Sequence, residues 1–290
     1  MGPLDRRRFL GLTAGAGVLA VTGLAGCSGG SSSDLVPVPN DWAFFSGAPY
    51  RLSVLIADNA KSGAPVQLNA PVTLRVGPVG QPLGGPLTTV LHSDGPAPPY
   101  ALTSYTFTHP GDWNVEVTYK GHRVATPITV TDPKDSAVPV VGQPLIRTPT
   151  PTPAATLGVN PICTAQPACP FHQVSLDAAL AAGHPIALLF ATPALCQSRF
   201  CGPVLMNLQA VAAPWSNRVT FIHSEIYNNL QGQTDAANGN LAPPVVAYHL
   251  TNEPMLLLAG ADGIIKVRID NLFDKGEVRD ALTAAFGPAS

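Results

Sequence analysis

Cysteine is the residue type with the most versatile chemistry in this chain, and its five copies fall into a pattern. Cys27 stands alone near the N-terminus, and two spaced pairs follow, Cys163-x5-Cys169 and Cys196-x4-Cys201. Cysteine thiolates act as nucleophiles, form disulfides and bind soft metal ions. A redox pair, a structural crosslink and a metal site are therefore the chemistries to weigh for this protein.

The N-terminal segment carries the features of an export signal. Arg6–Arg8 form a positive cluster, and a weakly apolar run rich in Gly and Ala extends from there to Ala25. A basic segment followed by an apolar one is typical of such signals. The string Arg6–Leu10 resembles the twin-arginine signal, and Leu24–Cys27 resembles the bacterial lipobox. Together these resemblances indicate an exported bacterial lipoprotein.

This interpretation divides the first 34 residues into two parts. We expect a signal peptide over residues 1–26 and a flexible Ser/Gly-rich tether over residues 27–34. Acyl chains on Cys27 would then hold the protein in the membrane lipid, on the extracytoplasmic face of the cell membrane. The alternative is an uncleaved transmembrane helix over residues 9–26, which is short for a span of about 20 residues.

The composition indicates a folded, loop-rich protein. The chain has 290 residues, of which 46% are hydrophobic and 12% charged, so it has enough apolar surface to form a core. Its 31 prolines and 27 glycines indicate many loops and short strands. The net charge is −2 and no basic run occurs after the N-terminal signal, which argues against a nucleic-acid partner.

Residues 35–131 have the pattern of an all-β domain. Short segments such as Trp113–Tyr119 alternate apolar and polar residues, and turn signals separate them, which favours an antiparallel sandwich. The turn His109–Trp113 resembles the PGxW corner of bacterial immunoglobulin-like domains. We expect a spacer or partner-binding role for this immunoglobulin-like sandwich, and we expect its histidines to be surface or turn residues. The other strands are predicted at Tyr50–Ile56, Val72–Val76, Tyr105–Thr108 and Val124–Val130.

Residues 132–160 are predicted to be a Pro/Thr-rich linker. Their centre, Thr148–Pro153, alternates Thr and Pro, a pattern that favours extended polyproline II structure. We therefore expect a semi-rigid spacer between two domains.

Residues 161–290 change to an alternation of strands and helices. The predicted helices are Leu176–Ala182, one opening at Gly202–Pro203, Pro243–Leu250, and a last one starting at Asp274 with Glu277 completing a capping box. The predicted strands are Pro185–Ala191, Val219–His223, Met255–Ala259 and Ile264–Arg268, of which the first is apolar throughout, as in a strand buried on both faces.

This order of elements, β-α-β-α-β-β-α, resembles that of the thioredoxin fold. Two local features add to the resemblance: the motif Phe200–Val204, in which Val204 stands where the family has its second cysteine, and the pair Glu253–Pro254, where the family has a cis-proline. The resemblance implies a two-domain chain with a C-terminal α/β thioredoxin-like domain. It further implies that Cys196, Cys201 and Pro254 form the catalytic site of a thiol–disulfide oxidoreductase.

The partners of such an enzyme would be exported proteins or a membrane thiol reductase. The spacing departs from the family, which has C-x2-C. Cys201 lies directly before Gly202–Pro203, so we expect its sulfur to feel the positive end of the following helix. Arg199 is a candidate to stabilise a thiolate, although a solvated loop arginine explains it equally well.

Three alternatives remain open for the Cys196–Cys201 pair. The first is a structural disulfide in a non-catalytic binding lipoprotein. The second is a peroxiredoxin-like peroxidase, suggested by Thr192–Pro193 upstream of the pair. The third is a copper-delivery protein that adds His223 or His249 to the cysteines, because soft thiolates select Cu(I).

The other pair, Cys163 and Cys169, is predicted to form a structural disulfide. With His172 nearby, it also offers part of a metal site, but structural zinc needs four ligands and only three are local. An even number of cysteines after the lipidated one favours disulfides in an exported protein. The sequence therefore predicts neither a metal site nor a cofactor.

Overall fold

The computed structural model describes residues 35–61, 63–196, 198–231 and 240–289. The predicted signal peptide, Cys27 and the tether over residues 27–34 lie outside these ranges. Among the described residues, no helix combines the length and the apolar character needed to cross a bilayer.

The first part of the chain is a β-sandwich. Ten strands form two five-stranded sheets, with the orders β1-β3-β8-β7 (β4 also pairs with β3) and β2-β10-β9-β5-β6. Side chains from both sheets meet in one apolar core, to which β3 contributes Leu52 and β9 contributes Trp113. The strands are β1 Leu35–Pro39, β2 Phe44–Phe45, β3 Tyr50–Asp58, β4 Ala64–Pro65, β5 Val72–Pro78, β6 Leu87–Thr88, β7 Val90–His92, β8 Tyr100–Tyr105, β9 Gly111–Tyr119 and β10 His122–Thr131.

The β9–β10 hairpin shows how the sequence specifies this sandwich. From Trp113 onward, alternate residues of β9 are buried, as the period of a half-buried strand requires. Lys120 and Gly121 form the two-residue turn, and both have positive φ (49° and 79°), which suits the twist of a tight hairpin. The strand predicted at Tyr105–Thr108 is wrong, because the pairing of β8 with β3 ends at Tyr105.

The segment over residues 132–160 differs from the predicted free spacer. Three of its apolar residues, Val138, Leu145 and Val159, are buried in the core of the following domain. The backbone N–H of Leu145 donates to the Gly263 carbonyl (2.9 Å), so the segment is hydrogen-bonded to a turn of that domain. The Thr-Pro alternation describes local backbone preference, whereas the apolar residues around it determine where the segment lies.

The second part is a four-stranded mixed sheet with helices. Its order is β12-β11-β13-β14; β12 is parallel to β11, and β13 is antiparallel to both β11 and β14. All residues of β11 are buried, with alternate side chains in two different cores, as expected for a central strand covered on both faces. The elements are α1 Leu176–Ala182, β11 Ile186–Phe190, α2 Cys201–Ala212, β12 Thr220–Ser224, α3 Pro243–Ala247, β13 Met255–Ala259, β14 Ile265–Asp270 and α4 Lys275–Phe286.

A buried ionic network joins the sandwich to the second part. Arg51 of β3 pairs with Asp41 in the sandwich and with Glu277 of α4. Its guanidinium also donates to the Leu272 carbonyl (2.6 Å), and Tyr100 donates to Glu277. Because charged groups are costly to bury unless they are paired, this network holds the two parts in one arrangement.

Candidate functional site

A disulfide joins Cys196 to Cys201 at the start of α2, with the two Cα atoms 5.9 Å apart. The helix begins at Cys201 because Pro203 fits the first turn, where no intrahelical N–H is needed. Phe200 at the cap position provides no side-chain hydrogen bond. Instead, the Cys196 Sγ atom accepts the backbone N–H of Cys201 (3.3 Å), which places that sulfur at the positive end of the helix.

The two sulfurs of the pair differ in their access to solvent. Cys201 is fully buried, whereas Cys196 is only partly buried. The Ser198 hydroxyl lies 3.3 Å from the Cys196 Sγ atom. The sequence predicts that the Cys201 sulfur is the one at the positive end of the helix. In the structure, the loop folds back over the first turn of α2, so the Cys201 N–H donates to the Cys196 sulfur instead. An incoming thiol would therefore meet Cys196 first.

A buried carboxyl group, that of Glu253, lies close to this disulfide. One of its carboxylate oxygens and the two sulfurs all lie within 4.8 Å of one another. Burial raises the pKa of Glu253 from 4.5 to about 8, against a smaller lowering by its own backbone N–H. The sequence singled out the neighbouring Pro254; the Glu253–Pro254 peptide bond is cis, and β13 starts directly after it.

Other residues predicted for this site make no side-chain hydrogen bond to either sulfur among the described residues. The Arg199 side chain is exposed, and its guanidinium makes no hydrogen bond or ion pair among the described residues. His249 is also exposed. His223 is fully buried and lies beside the other cysteine pair, away from the position that a copper site on Cys196 and Cys201 would require. Glu253 was missed because nothing in the local sequence separates it from a surface carboxylate.

Cys163 and Cys169 form a second cluster, and in the structure neither of them is part of a disulfide. This differs from the structural disulfide that the sequence favours. His223 Nδ1 lies 3.8 Å from the Cys163 Sγ atom and 3.3 Å from the Cys169 Sγ atom, and His172 Nε2 lies 3.3 Å from the latter. A hydrogen bond from Cys169 lowers the pKa of the Cys163 thiol. The fourth member, His223, comes from β12 and could be suspected from its position in an otherwise apolar strand.

Comparison with known proteins adds little to this picture. No family model matches the chain, and no curated protein matches it. One similar solved structure is described as the crystal structure of the Lin-41 filamin domain, which is 16% identical and covers 36% of this chain and 98% of that one. Its TM-score is 0.24, and a likeness of that size assigns neither a fold nor an activity to the chain.

Proposed function

We propose that this protein is a thiol–disulfide oxidoreductase whose Cys196–Cys201 pair undergoes thiol–disulfide exchange with exported proteins. One observation carries the proposal: a partly exposed sulfur at the positive end of a helix is bonded to a fully buried one, next to a buried carboxyl group. A purely structural crosslink needs neither the difference in exposure nor the carboxyl group.

The reaction follows from this arrangement. In the reduced protein, the Cys196 thiolate attacks a substrate disulfide, which breaks; one substrate sulfur leaves as a thiolate and takes up a proton. The Cys201 sulfur then attacks Cys196 Sγ and releases the second substrate sulfur as a thiol. Two electrons pass to the substrate, and a dithiol reductant of the membrane restores the pair. Every step is reversible, so the relative potentials of the partners decide the direction.

Each neighbouring group has a task in this sequence of steps. The Cys201 N–H, and the Ser198 hydroxyl when it donates, stabilise negative charge on Cys196. The Cys201 thiol must lose its proton inside the protein before it can attack. Glu253 is placed to accept that proton, and a pKa of about 8 allows it to take up and release protons near neutral pH.

The domain architecture supports the same proposal. The second part follows the thioredoxin order, β-α-β-α-β-β-α, from β11 through α4 once α1 is set aside, and its cysteine pair lies between the first strand and the next helix. On this basis we assign a thioredoxin-like fold to it and an immunoglobulin-like fold to the sandwich. The N-terminal residues support export and a lipid anchor on Cys27, and on that basis the proposal includes a location at the extracytoplasmic face of the cell membrane.

The test is a trapping experiment on the full chain. Cys201→Ser should accumulate a mixed disulfide between Cys196 and a model disulfide substrate, because the second sulfur can no longer resolve it. Cys196→Ser is the matched control and should accumulate none. The reduction potential of the wild-type pair, measured against glutathione buffers, should lie above about −300 mV. A lower potential together with no trapped complex would mark the bond as structural and favour a binding lipoprotein.

A further inference from the structure

The second cysteine cluster has the composition of a metal site. Its four side chains are Cys163, Cys169, His172 and His223, and the nitrogen or sulfur atom that each can offer lies within 4.8 Å of the other three. All four residues are buried, with exposures of 6%, 5%, 3% and 0%. Three of them come from the segment before α1, while the fourth, His223, comes from β12.

The separations between these atoms fit a tetrahedral ion. A zinc ion bonded at about 2.3 Å to sulfur and about 2.0 Å to nitrogen keeps its ligand atoms about 3.3 to 3.8 Å apart. The two imidazole nitrogens are 3.2 Å apart. Cys169 Sγ lies 3.3 Å from both His172 Nε2 and His223 Nδ1. Cys163 Sγ lies 3.8 Å from His223 Nδ1.

Neighbouring backbone groups contact two of the four donors, His223 and Cys163, while the buried Nδ1 atom of His172 has no hydrogen-bond partner among the described residues. His223 Nε2 lies 3.0 Å from the Ala191 carbonyl, which can only accept, so this nitrogen carries the proton and Nδ1 presents its lone pair to the other three atoms. Metal-bound histidines commonly make such a bond through their second nitrogen. The backbone N–H of Cys169 donates to Cys163 Sγ (3.3 Å), which would stabilise a thiolate there.

We propose that Cys163, Cys169, His172 and His223 bind a zinc ion that fixes the segment before α1 to β12. Two sulfur and two nitrogen donors in a closed tetrahedral arrangement are the preferred set for structural zinc. Two thiolates also neutralise the charge of a divalent ion, which makes its burial possible. The site is separate from the proposed redox pair, since it shares no residue with Cys196 and Cys201.

A disulfide between Cys163 and Cys169 is the competing interpretation. It would leave His172 Nε2 and His223 Nδ1, which are 3.2 Å apart, hydrogen-bonded to each other in the core. The two possibilities differ in what the isolated protein contains: bound zinc with Cys163 and Cys169 not joined to each other, or a second disulfide and no metal.

The experiment measures metal and disulfides on the full chain as isolated without reductant. Elemental analysis should find one zinc ion per chain, and non-reducing peptide mapping should find Cys196–Cys201 as a disulfide but not Cys163–Cys169. Replacing zinc with cobalt should produce the visible absorption of a tetrahedral cobalt–thiolate site, a result that needs no variant.

Variants locate the ion. His223→Gln and Cys163→Ser should lose the bound zinc, whereas the double variant Cys196→Ser/Cys201→Ser should keep it. A protein without zinc that contains a Cys163–Cys169 disulfide would overturn the proposal. Uptake of copper(I) with no uptake of zinc or cobalt would also overturn it, as would zinc that is lost with Cys196 and Cys201 and kept without His223.

Discussion

The residues of the proposed redox site differ from one another mainly in burial. Cys196 is partly exposed and Cys201 is fully buried, although they share one disulfide. Glu253, 7% exposed, lies beside them in surroundings that oppose its ionisation. The exposed sulfur can thus meet a partner, while the buried pair of groups can exchange a proton away from water.

The first prediction concerns the order in which the two thiols react. After mild reduction, Cys196 should be alkylated by iodoacetamide well before Cys201, because only the Cys196 sulfur is accessible to the reagent. Peptide mass analysis at short reaction times would show the modification on Cys196. Equal labelling of both cysteines in the folded protein would contradict the structure.

The second prediction concerns Glu253 and pH. Its pKa is raised from 4.5 to about 8, so the folded protein keeps a proton that the unfolded chain releases. The contribution of Glu253 to stability is therefore fully present below pH 4.5 and is lost as the pH rises to about 8, a loss of roughly 5 kcal/mol. In the oxidised protein, Glu253→Gln should flatten the dependence of the unfolding free energy on pH over this range.

Urea unfolding of the wild type and the variant at several pH values would measure this difference. The exposed Asp280 provides a control, since Asp280→Asn should leave the curve of the wild type unchanged. If the wild type and Glu253→Gln have parallel curves, the carboxyl group is not buried as described. In a separate assay, Glu253→Gln should also slow resolution of the mixed disulfide.

At the scale of the element, helix α4 shows how tertiary contacts modify a local motif. Asp274 caps the helix as the sequence predicts, since its carboxylate accepts the N–H of Glu277 (2.7 Å). The reciprocal half of the capping box is absent from the described contacts of this turn. The Glu277 carboxylate pairs with Arg51 instead, and the Asp274 N–H donates to the Tyr100 hydroxyl (3.1 Å).

The third prediction concerns this cap. Asp274 also accepts the backbone N–H of Asp94 (2.9 Å) and lies 3.0 Å from Nδ1 of His92, so it joins the helix to the sandwich. Asp274→Ala should lower the free energy of unfolding by about 2 to 3 kcal/mol, because it removes a helix cap and a buried hydrogen-bond acceptor. Asp274→Asn keeps an acceptor oxygen and should cost less. Equal effects of the two substitutions in chemical unfolding would contradict this account.

At the scale of the whole molecule, the sandwich and the second part behave as one unit because charges are buried between them. Arg51 is the centre of this contact, with Asp41 on one side and Glu277 on the other. Burial raises the pKa of Asp41 to about 6, even though Arg51 acts in the opposite direction. The sandwich thus contacts α4 through Arg51, and its expected spacer or partner-binding role stays a prediction.

The fourth prediction tests this interface. Arg51→Ala should lower the free energy of unfolding by about 3 to 5 kcal/mol, because two buried carboxylates lose their counter-charge. Arg123 provides the control: it is 61% exposed and pairs with Glu116 at 3.7 Å, so Arg123→Ala should cost less than about 1 kcal/mol. Similar costs for the two substitutions in urea unfolding would show that the interface contributes little.

Much of the local structure could be predicted from the sequence. The alternation in Trp113–Tyr119 defined a strand with one buried face. Ser175 and Gly183 marked the ends of α1, and Gly183 adopts the left-handed conformation that such a stop requires. Gly202 and Pro203 likewise placed Cys201 at a helix start. These features depend on residues a few positions apart, whose preferences act in any surroundings.

The sequence by itself therefore indicated most of the longer strands, the ends of α1 and the start of α2 beside one cysteine pair, and its N-terminal motifs predicted export. Only the tertiary structure decided which distant side chains meet. His223 joins Cys163 and Cys169 across 60 and 54 positions, and Glu253 joins Cys201 through the packing of β13 against β11. Local backbone preferences do not encode such contacts, because they arise only when separate elements bury their apolar faces together.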